Sequence, residues 1–179
     1  MSTIFRGCLL TLAALALWAC AATSGMTSRE LLDRCISRKE AGDLAGAVRD
    51  CAEVVRREPR SAMALNSLGR VYFVRGDHDK AIEAFERALE ARPGDLAALK
   101  NIGAALGRAG RLVEAVAAYE RALAGSPSDT EALFELGVVH IMRGDGQAAL
   151  AVADRLFVIS PGAAKRLREL YWQSGIGHP

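Results

Sequence analysis

The sequence predicts an all-α solenoid of four helix–turn–helix units closed by a C-terminal helix. Three observations carry that prediction. Pro59, Pro93, Pro127 and Pro161 stand 34 residues apart, and the same interval separates Gly42, Gly76, Gly110 and Gly144, and Ala47, Ala81, Ala115 and Ala149. A fixed period of this size marks stacked supersecondary units, none of which buries its apolar face alone. Apolar residues recur at helical spacing on both sides of each glycine. The composition agrees: the 179 residues are 51% apolar and only 6% aromatic, with Ala, Leu, Arg and Glu, all helix formers, in plenty.

Taken in order, the chain opens on a segment that does not read as part of the fold. Arg6 supplies a positive charge, Gly7 to Ala22 are uncharged and mostly apolar, and small residues follow. This is the layout of a secretory signal, and the apolar run is shorter than the ~20 residues a membrane-spanning helix needs. The stretch Leu17-Trp18-Ala19-Cys20 resembles the bacterial lipoprotein signal, in which an aliphatic residue and two small residues precede a cysteine. Trp18 stands where that family carries a small residue. The resemblance implies a signal peptide over 1–19, a lipid on Cys20 and an anchor with short linker over 20–27. The alternative is an ordinary signal cut after Ala21 or Ala22.

Four units follow, over 28–61, 62–95, 96–129 and 130–161, and then a capping helix and tail over 162–179. The second unit shows the pattern best. Leu65, Leu68 and Tyr72 share a helical stripe, and Gly76-Asp77 breaks the helix. A second stripe of Ala81, Ile82, Phe85 and Leu89 then runs to Pro93. Small residues at Gly69, Ala81 and Ala88 let the two helices approach, and the large ones fill the gaps. After Pro161, Ala163, Leu167, Leu170, Tyr171 and Ser174 fall on one helical face, with Lys165, Arg168 and Glu169 away from it. Trp172 points opposite the buried stripe, either as an exposed ring or as a contact point for a partner.

These residues resemble the tetratricopeptide repeat, whose signature runs large residue, Leu-Gly, aromatic, Ala, aromatic, Ala, Pro. The second unit carries it as Leu65, Leu68-Gly69, Tyr72, Ala81, Phe85, Ala88 and Pro93. The third carries Leu99, Ile102-Gly103, Leu106, Ala115, Tyr119, Ala122 and Pro127. The fourth carries Leu133, Leu136-Gly137, His140, Ala149, Ala153, Leu156 and Pro161. The first keeps Leu31, Ala47 and Pro59 but has Arg34-Cys35 in place of Leu-Gly, the drift expected of a terminal repeat. The resemblance implies a right-handed superhelix with a concave groove lined by the first helix of each repeat. Its inward positions, mapped onto this chain, form a candidate peptide-binding groove of Met63, Asn66, Arg70, Phe73, Lys100, Asn101, Phe134 and Ile141. Arg108, Glu131, Glu135 and Val138 share that phase. Some of these side chains serve instead as padding of the superhelix in the alternative reading. Members of the family that clamp a terminal carboxylate use Lys, Asn and Arg at set positions. Only Asn101 falls on that pattern, and Glu131 and Glu135 would repel a carboxylate.

Chemistry is otherwise sparse. His78, His140 and His178 are scattered, and His140 takes an aromatic's place in the repeat core. There is no metal-type Cys/His spacing. The stretch GRAGR (107–111) lacks the Lys-Ser/Thr of a phosphate loop. A formal net charge of +2 with mixed signs gives no basic stripe for nucleic acid. The sequence therefore predicts no catalytic residues, no metal, no cofactor and no small-molecule substrate; its expected partner is a protein or peptide segment in the groove. Cys35 and Cys51 replace the Gly and the aromatic of the first repeat. Cys35 lies seven residues before Gly42 and Cys51 eight after Asp43, so the two face each other across an antiparallel helix pair. A disulfide is expected, with two buried free thiols as the alternative. Architecture of this kind resembles the lipoproteins of pilus and secretion-system assembly, including the Tad type. The expectation is a membrane-tethered adaptor in a bacterial envelope, on the outer membrane and facing the periplasm. The alternative is a soluble periplasmic accessory of an envelope enzyme or cell-wall maintenance complex.

Overall fold

The computed structural model describes residues 25–176. Residues 1–24, with Cys8 and Cys20, and 177–179, with His178, lie outside the described residues. Among the described residues there are nine helices and no strand. The first repeat is α1 (Ser28–Glu40) and α2 (Leu44–Arg57), and the second is α3 (Ala62–Arg75) and α4 (His78–Ala91). The third is α5 (Leu96–Arg108) and α6 (Leu112–Gly125), the fourth α7 (Thr130–Arg143) and α8 (Gly146–Ile159). Helix α9 (Pro161–Gln173) closes the stack. Each helix packs on its chain neighbours, and successive first helices touch one another, which makes an all-α solenoid. None is long and apolar enough to cross a membrane.

Local chemistry fixes where each first helix starts. Thr27 and Glu30 form a reciprocal capping box at α1, and Ser61, Asp95 and Asp129 accept from backbone N–H groups at α3, α5 and α7. These caps satisfy donors that the first turn leaves without partners. Within each repeat the turn rests on Gly42, Gly76, Gly110 or Gly144, with φ between +77° and +88°, a region that favours glycine.

The helices of a repeat meet most closely at one position. A Cβ on Gly69 would lie 2.5 Å from the Phe85 ring, and one on Gly103 would lie 2.8 Å from the Tyr119 ring. In the second and third repeats the aromatic of the second helix therefore lies directly on the glycine of the first. In the fourth repeat Ala153 stands at the aromatic position, and the space over Gly137 is taken by Leu167 from α9, 2.3 Å from where a Cβ would be. In the first repeat both partners change together. Cys35 and Cys51 join across the seam as a disulfide, with Cα atoms 5.5 Å apart.

A second exchange adjoins the first. Arg34 occupies the place of Leu68, Ile102 and Leu136, and Asp50 that of Ala84, Ala118 and Val152. Arg34 Nε and Nη2 each donate to Asp50 at 2.7 Å, and Arg38 Nη1 approaches Asp50 at 3.0 Å. Asp50 is only 1% exposed, so its charge is held by two guanidinium groups where water is excluded. A buried carboxylate is retained only on such terms. The hydrogen bond to Asp50 raises the Arg34 pKa further above its ordinary value.

At the C-terminal end the capping helix starts at Pro161, one residue before the expected 162. Pro161 does not end the fourth repeat; it is the first residue of α9, and Ser160 alone separates α8 from α9. Proline suits that position because its missing N–H would have no helical acceptor there. Helix α9 thus begins three residues before 164, where the 34-residue period would start it. The buried face includes Ala164, and Leu170, expected inside, is 40% exposed. Tyr171 packs over the start of α8, where a Cβ on Gly146 would lie 2.8 Å from its ring. Trp172 is exposed.

Two glycines of α5 separate seam packing from helix propensity. Gly103→Ala should destabilise the protein by about 1–2 kcal/mol, because the added methyl overlaps Tyr119. Gly107→Ala should stabilise it by about 0.5–1 kcal/mol, since its Cβ would make an ordinary 3.7 Å contact with Val139. Urea denaturation of the two variants should shift the midpoint in opposite directions; a shared direction would contradict the seam assignment. For the first repeat, the link spans 16 residues, and its loss should cost about 3 kcal/mol in the chain-entropy model. Thiol labelling of unreduced, denatured protein should find neither Cys35 nor Cys51 free, and two labelled residues would contradict the bond.

Candidate functional groove

The first helices α3, α5 and α7 border a hollow of about 700 Å³ on the inner face of the solenoid. It exists because α5 presents small residues there. Ala97, Ala104 and Gly107 line its floor, with the Tyr119 ring visible beneath Gly103. Helix α3 contributes Arg70 and Phe73 to one wall, and α7 contributes Glu131, Glu135, Val138 and Met142 to the other. Lys100, Asn101 and Arg108 rise from α5 itself.

Of the eight residues expected in the groove, Arg70, Phe73, Lys100 and Asn101 are brought together here. The other four are placed elsewhere, for identifiable reasons. Met63 borders a separate cleft against α1, with Leu32 and Asp33. Asn66 turns to the next repeat, its Nδ2 donating to Asp95 at 3.4 Å. Phe134 packs on the core and carries the Arg166 guanidinium of α9 at 5.3 Å from its ring centre. Ile141 is half-buried against the same core. Asn66, Lys100 and Phe134 occupy one position of the repeat, and all three reach towards the following unit. Lys100 does so by binding Asp129 at 3.0 Å, and it also binds Glu131. That phase braces repeats as much as it lines a groove.

The sequence reading missed Ala97, Ala104, Gly107 and Met142 in this hollow. All four lie on the inward phase assigned to the repeat, so the signal was present. Ala97, Ala104 and Gly107 were passed over because a small side chain attracts no attention as a contact, although here small size is what makes the space; Met142 was passed over although it is a large exposed apolar residue.

The charges of the hollow are unequally satisfied. Burial lowers the Lys100 pKa, but its bonds to Glu131 and Asp129 more than reverse that, and the net shift is upward. Burial works on Asp129 in the raising direction, and the Ala132 N–H and Lys100 overcome it, leaving its pKa lowered. Arg70 and Arg108 are exposed, with no ion pair among the described residues. Glu135 is half-buried, and its pKa is raised by burial first and by neighbouring Glu131 second, with Arg108 opposing. Its ionised form is thus the one disfavoured by folding: the stability it contributes is present below the unfolded carboxyl pKa and is lost as pH rises through the folded value. Tyr119 below is held protonated well above its ordinary range, by burial and then by Glu135 and Glu131.

No cluster suited to a metal ion occurs among the described residues. His140 is 7% exposed and its Nδ1 has no hydrogen-bond partner. Burial lowers its pKa against the opposing charge of Asp145, whose Oδ2 lies 3.7 Å from Nδ1, and the ring fills the place of an aromatic in the core. At the far end Phe157 and Trp172 flank a shallow cleft crossed by Lys165, Arg168 and Glu169.

A tetratricopeptide repeat family model matches residues 32–95 and 100–164, well over half of the chain. No curated protein matches in sequence. Among solved structures, a MamA protein superposes with a TM-score of 0.73 at 24% identity, covering 84% of each chain. A thermophilic repeat protein of Thermus thermophilus gives 0.68 at 18% identity, again over 84% of each. A tetratricopeptide repeat protein of Parabacteroides merdae gives 0.72 at 20% identity, covering 83% of this chain and 60% of that one. Identities this low speak for the fold alone. With the family model matching both halves of the repeat array, the chain belongs to the tetratricopeptide repeat family.

Proposed function

We propose that this protein is a non-enzymatic adaptor that holds a protein segment in the hollow between α3, α5 and α7 while a lipid on Cys20 tethers it to a bacterial envelope membrane. The observation that carries the reading is the hollow itself: small residues on α5 open about 700 Å³ between a wall bearing Phe73 and one bearing Val138 and Met142. Mixed apolar and charged walls suit a peptide or helix better than a small polar metabolite. The tether is supported by the Leu17-Trp18-Ala19-Cys20 stretch. A periplasm-facing location is supported by the Cys35–Cys51 link, since such bonds persist in oxidising compartments. Work in pilus or secretion-system assembly is the narrower form of the proposal, by analogy with small tethered repeat proteins. Trp18, in a place where lipoprotein signals carry a small residue, favours a second reading. In it the protein is a soluble periplasmic accessory of an envelope enzyme or cell-wall maintenance complex.

Two measurements test these readings. Ala104→Trp fills the hollow from its floor, whereas Val113→Trp changes a residue that is 69% exposed on a second helix. Crosslinking capture from membranes should fall more than tenfold with the first and stay at wild-type level with the second, at unchanged helical content. Capture that survives Ala104→Trp would move the binding site elsewhere. For the tether, Cys20→Ala should release the protein from the membrane fraction, because stable anchoring rests on acyl chains. Intact mass showing an unlipidated chain that begins at Ala22 or Thr23 would select the soluble reading.

A further inference from the structure

We infer that the segment held in the hollow carries a basic side chain, Lys or Arg, which pairs with Glu135, beside an apolar side chain that packs on Phe73, Val138 and Met142. This rests on the groove reading above and names the chemistry of its occupant. Charge complementarity in the hollow points to such an occupant. Of the two carboxylates on α7 that face the hollow, Glu131 is already bound by Lys100 and is 73% exposed. Glu135 is half-buried and makes no ion pair among the described residues. It lines the hollow with Tyr119 and Val138, and the charges of Glu131 and Arg108 act on it without a bond to either. A carboxylate in that position has lost part of its hydration without gaining a partner, so an incoming cation recovers most there.

Arg70 and Arg108 argue for an acidic partner instead, and relative burial decides between the two. Both arginines are exposed, and an ion pair made in full contact with water contributes about 0–1 kcal/mol. A charged hydrogen bond to a desolvated carboxylate is worth more. The rim cations also leave the free hollow with no strong field of one sign. Discrimination therefore rests on Glu135, the half-buried carboxylate of the lining that makes no ion pair among the described residues. The apolar requirement follows from the walls: Met142 is 54% exposed and Phe73 is half-buried, so both have area left to cover.

Three fluorescein-labelled 12-residue peptide pools test the inference, each degenerate in Leu, Ala and Ser around a fixed central Lys, Glu or norleucine. Fluorescence anisotropy is read on the full-length protein and on its Glu135→Gln, Glu135→Lys and Ala104→Trp variants, with circular dichroism as the folding check. The Lys pool should bind wild type about tenfold more tightly than the norleucine pool. Glu135→Gln should erase that preference, and Glu135→Lys should transfer it to the Glu pool. A preference for the Glu pool in wild type would overturn the inference in favour of Arg70 and Arg108. Equal binding of all pools, abolished by Ala104→Trp, would overturn it while leaving the groove reading intact. If no pool binds, or if binding ignores Ala104→Trp, the inference falls together with the groove reading.

Discussion

The structure depends on one close contact in each internal repeat, where a first helix and its second helix approach across a residue with no side chain. Phe85 lies on Gly69 and Tyr119 lies on Gly103 with no room for a methyl group. This contact sets the distance between the helices of a repeat. Because it recurs at one phase, it also sets how each repeat presents itself to the next. The two ends of the array solve the same problem without that pair. The first repeat bonds Cys35 to Cys51, and the fourth borrows Leu167 from α9 to cover Gly137. A covalent link at one end and a borrowed side chain at the other both replace a contact that internal repeats form by packing alone.

The groove follows from that constraint. With the seam fixed, each first helix turns the same set of positions inward, and the character of the inner face depends only on what occupies them. On α5 they hold Ala97, Ala104 and Gly107 beside Lys100, Asn101 and Arg108. The result is a floor with little bulk and a few long polar side chains. On α7 they hold carboxylates and apolar residues. Lys100 then spends its charge on Asp129 and Glu131, which ties the third repeat to the fourth and leaves Glu135 without a partner.

Much of this was legible in the sequence because the 34-residue ladder is a direct image of the packing. The glycine, alanine and aromatic positions recur because the seam requires them. The paired replacement of Gly and aromatic by Cys35 and Cys51 could be seen for the same reason: two changes at facing positions of one contact. The Arg34–Asp50 exchange beside it was not read, since a charged pair inside a helix seam looks like any two surface charges until Asp50 is found buried. At the C-terminal boundary Pro161 has two meanings, an end to α8 or a start to α9, and spacing does not choose between them. The inward phase of the groove was legible, but its shape was not. Phe134 carries the right phase and is covered by Arg166 of α9, and Asn66 is drawn off to Asp95. Such neighbours come from the next repeat, at distances along the chain that no single helix pattern encodes.

The central claim is that occupation of the hollow on α5 is what this array is built for. Amide hydrogen exchange of the full-length protein, alone and crosslinked to its captured partner, tests it most directly, since bound segments slow the opening of the helices they cover. The account predicts added protection over 97–108 and 131–142, with the turn region around Gly144 and helix α9 unchanged. Protection concentrated instead over 157–172, around Phe157 and Trp172, would contradict it.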